Sequence, residues 1–120
     1  MNEDPGTAGN GDIIDSTINN NNGTDVGSMA SDDSVDGKFY RCFDFDGTDD
    51  HIDCGDSIIP TGDFTVTAWV NRETTSTGYR SAFTQYSAGQ TGRFHFGIYN
   101  GNFVYRIGGD TISDFVFPTG

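Results

Sequence analysis

The sequence predicts an all-β fold, an antiparallel β-sandwich or jelly roll, on three observations. The chain has no Leu and no long run of strong helix formers. Its 10 Phe fall mostly in alternating runs, the period-two pattern of half-buried strands. Turn residues separate those runs: 17 Gly, and an acidic complement that is almost all Asp. Asp favours turns because its short side chain bonds nearby backbone.

At 120 residues the chain is one domain at most. Residues 1–11 (MNEDPGTAGNG) are polar and Gly-rich and read as a flexible N-terminal segment. Residues 12–120 read as the sandwich. Gly11 to Asp15 is expected as a short edge strand, followed by a long Asn-, Ser-, Asp- and Gly-rich loop that wraps the surface. Within it Asn22-Gly23-Thr24 matches a glycosylation sequon, a short pattern that nothing else supports.

Lys38 to Asp46 reads as a strand with Phe39, Phe43 and Phe45 on one face. Gly47-Thr48-Asp49 turns it, and Asp50 to Cys54 returns. Pairing Phe45 with Ile52 and Phe43 with Cys54 keeps the apolar residues on one face. That register sends Cys42 to the other face, so the two cysteines are expected as free thiols. Phe64 to Val70 is the cleanest alternating run, with Phe64, Val66, Ala68 and Val70 on one face and Trp69 on the other. Arg80 to Tyr86 is a further strand.

The strongest local signal is Asn100-Gly101, the preferred pair for a two-residue type I′ turn. Centring a hairpin there, over Arg93 to Ile107, pairs Ile98 with Phe103, Phe96 with Tyr105 and Phe94 with Ile107. It also pairs Gly97 with Val104 and His95 with Arg106. Turn chemistry and apolar register agree. Thr111 to Phe117 is the last expected strand, stopped by Pro118.

The formal net charge is −12. Nucleic acid is not expected as a partner, since phosphate contact needs Lys and Arg, and an anionic membrane surface is not expected on the same ground. No apolar run is long enough to span a bilayer. The first residues have neither the basic nor the apolar region of a secretory signal.

Three stretches carry a resemblance to a known family. They are Phe45-Asp46-Gly47 with Asp49-Asp50-His51-Ile52, then Gly62-Asp63-Phe64-Thr65-Val66-Thr67-Ala68-Trp69-Val70, and the hairpin from Phe96-Gly97-Ile98 to Arg106-Ile107-Gly108-Gly109. Together they resemble the laminin-G-like jelly roll of the concanavalin-A-like lectin/glucanase superfamily. The Asn-rich run from Asp15 to Thr24 is similar to the way members begin, so the resemblance spans roughly Asp15 to Phe117. His51 departs from the pattern, which has an aromatic there, usually Tyr. The family pattern continues with a Trp-His-type strand and an Asp-Gly turn, whereas this sequence ends at Gly120. The resemblance therefore leaves three readings of an incomplete-looking sandwich open: a fragment, a minimal version closed differently, or a domain completed by a neighbouring chain in a homo-oligomer or larger assembly.

The resemblance implies ligand recognition: a non-catalytic, lectin-like module for glycan or protein on a surface. The alternative is a virion structural, decoration or fibre protein that uses the jelly roll as an assembly brick. Either implies an extracellular or virion-surface location. Members often bind Ca²⁺ at the rim, and the acidic turn offers Asp46, Asp49, Asp50 and Asp53 as metal ligands, because hard cations take carboxylate and carbonyl oxygens. The turn is not an EF-hand: counted from Asp44, position six is Asp49 rather than Gly, and position twelve is Gly55 rather than Glu. The competing reading is a solvated turn. Aromatic residues with solvent access stack on sugars, which nominates Trp69 and Tyr99, and with them Tyr79 and Tyr86, together with the amides of Asn100 and Asn102. Packing beneath a loop is the competing reading for Trp69, and Tyr105 is expected in the core. His51 and His95 are expected as surface residues, since they lack zinc-ligand spacing. The paired carboxyl groups of a glycosidase, a nucleophile elbow and a phosphate loop are all missing from the sequence, so no enzyme is expected.

Overall fold

The computed structural model describes residues 13–55, 60, 62–72, 77–85 and 94–107, and the backbone of 112–115. The N-terminal segment 1–11 lies outside them. All the strand pairing is antiparallel, and the one helical element among the described residues is a 3-10 turn, Ser31–Asp33. The all-β expectation therefore holds. The chain groups into two compact units, Met1–Ile58 and Ile59–Gly120.

In the first unit the expected long loop contains most of the ordered structure. Asp15 organises its first part. Its carboxylate accepts the Thr17 N–H (2.8 Å), the Thr17 hydroxyl (2.8 Å) and the Asn21 N–H (2.9 Å). The Asn22 carboxamide oxygen accepts the Asp15 N–H (2.9 Å). The expected edge strand reduces to one bridge, Ile13 with Gly23. Strand β1 (Thr24–Val26) follows, then the 3-10 turn, β2 (Ser34–Asp36), β3 (Arg41–Phe43) and β4 (His51–Asp53).

The expected pairing of Phe43 with Cys54 and Phe45 with Ile52 does not form. β3 pairs with β2, Ser34 opposite Phe43, and β4 pairs with β1, Asp25 opposite Ile52. Two local features divide the run. Tyr40 adopts φ 59°, closing the β2–β3 hairpin with Gly37 N–H bonded to the Tyr40 carbonyl (2.7 Å). The acidic turn then folds on itself rather than extending the strand. Phe39 (61% exposed) and Phe45 (46%) consequently face solvent. Both cysteines are free thiols, but the hairpin that led to that expectation is absent.

The second unit is a four-stranded meander, β5 (Tyr79–Gln85), β6 (Phe94–Tyr99), β7 (Asn102–Ile107) and β8 (Ile112–Phe115), paired in that order. The β6–β7 register is the expected one, from Phe94 opposite Ile107 to Tyr99 opposite Asn102. Asn100 (φ 47°) and Gly101 (φ 89°) take the two positive angles a type I′ turn requires. β5 joins β6 with an irregularity between Ser81 and Phe83.

Burial departs from the expected one-sided pattern. On β6 both Phe94 and His95 are buried, and Ile98 with them. On β7 Val104 is buried, whereas Tyr105 and Ile107, expected in the core, are exposed. His95 was expected at the surface and is 5% exposed. Contacts on both faces of β6 accompany this: the Phe64 ring lies against Phe94, while Tyr79 and Ser81 lie against His95, which alternation puts on the other face.

Residues 62–72 carry no ladder among the described residues, so the expected Phe64–Val70 strand is not formed as such. Alternation prescribes which side chains share a face but not which backbone completes the ladder. Phe64 and Val66 are half-buried, and from Thr67 to Val70 every residue is exposed. The Phe64 ring packs edge-on against Phe94, with centroids 5.3 Å apart and planes at 81°.

Candidate functional site

The acidic turn is built by its own side chains. The Asp46 carboxylate accepts the N–H groups of Thr48 (2.7 Å) and Asp49 (3.3 Å), an Asx-type turn. Asp50 is a double clamp. One oxygen accepts the Asp46 N–H (3.0 Å), and the other accepts the Ser28 N–H (3.0 Å) and hydroxyl (3.2 Å). The Thr48 N–H, aided by those of Asp49 and Asp50, holds the Asp46 carboxyl below the usual carboxylate range, against opposing desolvation. His51 donates from Nδ1 to the Asp49 carbonyl (2.8 Å).

Ligand oxygens of Asp46, Asp49 and Asp50 lie within 4.8 Å of one another. Oxygens facing each other across a bound Ca²⁺ are up to about 5 Å apart, so this spacing suits a hard cation. The Asp49 side chain accepts no hydrogen bond among the described residues, which leaves both its oxygens available. Asp53, the fourth expected ligand, is not in this group. It sits exposed on β4, where its carboxylate accepts the Gly55 N–H (2.8 Å). The cation would be held by Asp46, Asp49 and Asp50, with carbonyls and water completing the shell.

The sequence-nominated sugar residues divide. Tyr99, Asn100 and Asn102 come together at the β6–β7 turn. Asn100 serves the fold: its carboxamide oxygen accepts the Gly78 N–H (2.8 Å) and its own N–H donates to the Gly78 carbonyl (3.3 Å). Tyr99 stacks on Tyr79, with centroids 4.3 Å apart and planes at 29°. Tyr79 also meets the buried His95 edge-on, at 5.6 Å and 88°. The Ser81 hydroxyl lies 3.2 Å from His95 Nδ1. Trp69 lies in the 62–72 segment and is 72% exposed.

Gly97 makes this aromatic cluster possible. Residues 95, 97 and 99 share one face of β6 by alternation, so a residue without a side chain separates His95 from Tyr99. A Cβ on Gly97 would overlap the Arg80 carbonyl oxygen and reach 2.9 Å from Ser81 Cα. The close approach of β5 leaves a notch across which Tyr79 touches both neighbours.

Two further features escaped the sequence reading. Asp25, in the middle of β1, is 0% exposed, and neither carboxylate oxygen has a hydrogen-bond partner. Cys54 is half-buried; burial pushes its thiol up, and the carboxylates of Asp53 and Asp15 add to the shift. The open depression along Ile13, Asp15, Thr17, Asn19 and Asn21 holds no free carboxylate, because Asp15 is already engaged by three donors.

Comparison with known proteins bears on both sites. A laminin-G-like family, described as part of the concanavalin A-like lectin/glucanases superfamily, matches residues 46–120. The match opens at the acidic turn and covers the 62–72 segment and the whole meander; the Asp15–Thr24 run lies ahead of it. No curated protein and no solved structure matches the chain. With more than half its length matched, the chain belongs to this laminin-G-like family of the concanavalin A-like lectin/glucanases superfamily and has its antiparallel β-sandwich class of fold.

Proposed function

We propose that this chain is a non-catalytic, lectin-like module that recognises glycan or protein on a surface, outside the cell or on a virion. Its family is one of binding modules in kind. The observation that carries the finer reading is the tyrosine pair at the β6–β7 turn. Tyr79 and Tyr99 are already stacked, and Tyr79 remains 43% exposed. Amphipathic rings at an accessible rim, held rigid before binding, are the usual equipment of a recognition surface. Ca²⁺ at Asp46, Asp49 and Asp50 is part of the proposal, supported by the spacing of their oxygens.

A structural role in an assembly, such as a virion decoration or fibre component, has its own support. Phe83, Tyr105 and Ile107 are 40%, 44% and 61% exposed. In register Phe83 lies opposite Phe96, Phe96 opposite Tyr105, and Ile107 opposite Phe94, so they share one sheet face. Exposed apolar area of this kind marks contact surfaces. A glycan array together with mass photometry separates the readings. Specific glycan binding by a monomer supports recognition. A stable oligomer that binds no glycan supports the assembly role and overturns the first.

A further inference from the structure

We propose that residues 64–70 form a strap that closes onto the outer edge of β5 and carries Trp69 to Tyr79. This goes beyond the recognition reading above and does not depend on which ligand the module takes. Strap and strand both lie in the second unit. β5 is the outermost strand of the meander, with no partner on its other edge among the described residues. From Tyr79 to Thr84 every residue of it is exposed. Such an edge offers a row of N–H and C=O groups to any extended segment that reaches it.

Residues 64–70 are a segment of that kind. They contain no charge, no Gly and no Pro, and all but Ala68 are β-branched or aromatic. They carry no ladder, and from Thr67 to Val70 every residue is exposed. Two tethers fix how the strap can lie. The Phe64 ring already packs against Phe94, which pairs with Gln85 at one end of β5. At the strap's other end, residues 71–78 join Val70 to Tyr79, the opposite end of β5. The strap therefore starts beside Gln85 and runs back toward Tyr79, antiparallel to β5. Tethers this short keep it at high local concentration beside its own chain, which makes its own chain, rather than a second copy, the occupant of the edge.

The faces then settle the register. Phe94 lies opposite Gln85, and Phe96 opposite Phe83. Phe64 joins that face through its contact with Phe94, and Val66 follows by alternation. This sets Phe64 opposite Gln85, Thr65 opposite Thr84 and Val66 opposite Phe83. The irregularity between Ser81 and Phe83 leaves Ala82 out of the β5–β6 pairing. Passing over Ala82 keeps the later pairs on matched faces: Thr67 opposite Ser81, Ala68 opposite Arg80 and Trp69 opposite Tyr79. A slip of one residue would set Val66 against Thr84 and turn every side chain to the wrong face.

Closure changes both faces of the sheet. On one, Val66 covers Phe83, which is 40% exposed in the open arrangement. On the other, Trp69 comes beside Tyr79, whose partner is Tyr99, and three rings stand in a row across neighbouring strands. Each ladder hydrogen bond contributes modestly in net terms, and ordering the strap opposes it. Open and closed arrangements therefore lie close in free energy, and whatever contacts Trp69 and Tyr79 together selects the closed one.

The test is cross-linking in the whole chain, with Cys42 and Cys54 changed to Ser. T65C/T84C puts thiols on directly opposed residues, and T65C/S81C puts them two pairs out of register; disulfide geometry tolerates little error. Mild oxidation is expected to join T65C/T84C within one chain and to leave T65C/S81C reduced. On oxidation the emission of Trp69, the sole tryptophan, is expected to shift to the blue and to lose access to acrylamide. The β5 amides are expected to exchange more slowly than in the reduced form. Dispersed β6–β7 amide signals report that each variant is folded. T67P serves without added thiols: proline disfavours the ladder, so β5 exchange is expected to speed up relative to the parent. Failure of folded T65C/T84C to cross-link, equal cross-linking of both pairs, or β5 exchange unmoved by T67P would each overturn the strap. Cross-links found only between chains would overturn it too, and would assign the edge of β5 to a second copy.

Discussion

Replacing Asp25 by Val should make the protein more stable. Asp25 lies opposite Ile52 in the β1–β4 pair, and it is 0% exposed with both oxygens unpartnered. By alternation Ile13, Gly23 and Ile52 share its face. A buried polar group without a partner costs about 1–3 kcal/mol, and more when charged. A buried Val side chain contributes a further stabilisation of about 1.5 kcal/mol, and its β-branch suits a strand. The two effects together come to about 3 kcal/mol in favour of the variant. For a unit of this size that corresponds to more than about 10 °C in Tm. Urea unfolding followed by circular dichroism, with amide exchange of residues 24–26 and 51–53, measures it. D25N removes the charge but leaves an unpaired amide, so its gain should be smaller, about 1 kcal/mol. An unchanged or lower urea midpoint for D25V would refute the reasoning, because it would mean that the carboxylate is compensated in the folded protein.

Gly97→Ala should act in the opposite direction. The new methyl overlaps the Arg80 carbonyl, and separating β5 from β6 costs about 3 kcal/mol in overpacking and lost ladder bonds; a melting temperature within 2–3 °C of the parent, roughly what less than 1 kcal/mol produces, would contradict this. Adding Ca²⁺ should raise the melting temperature through Asp46, Asp49 and Asp50, by up to about 2.7 kcal/mol at a hundredfold excess over Kd, and D49N should abolish the rise. No stabilisation of the parent at any Ca²⁺ concentration would remove the cation from the function. Asp15 and Asp46 are both held below 3.8 by N–H donors, those of Thr17 and Thr48 foremost. Their contribution is therefore present above the unfolded carboxylate value of about 3.9 and is lost as pH falls through the lower folded values. NMR titration should show the amides of Thr17, Asn21 and Thr48 shifting together below about pH 4, with the β6–β7 amides unmoved. Iodoacetamide at pH 8 should label exposed Cys42 well before half-buried Cys54, whose thiol is pushed up by burial; equal rates would show that the first unit opens freely.

The most legible parts were those whose causes are local. Asn100-Gly101 dictates its own turn, and the apolar residues on either side permit one register, so the β6–β7 hairpin was readable residue by residue. The Asp46 turn was readable for the same reason: a carboxylate bonding the N–H groups two and three residues ahead needs no tertiary partner. Tyr99 and Asn102 came together as nominated because they flank that turn. Asp53 fell away from the acidic group because the β1–β4 pairing fixes its place on a strand.

What the sequence determined by itself was the all-β class, the main hairpin and the acidic turn, each specified by residues within about a dozen positions. The tertiary structure alone decided which strand lies beside which. It sent β3 to β2 and β4 to β1, left Phe64 to Val70 without a ladder among the described residues, and drew Tyr79 against Tyr99 and His95 over the Gly97 notch. It also buried Asp25 and His95, polar residues that sequence pattern assigns to solvent. The physical reason is common to all of these. Alternation specifies the face a side chain takes, whereas neighbour and burial depend on pairing segments distant in the chain, and that choice rests on loop closure and packing.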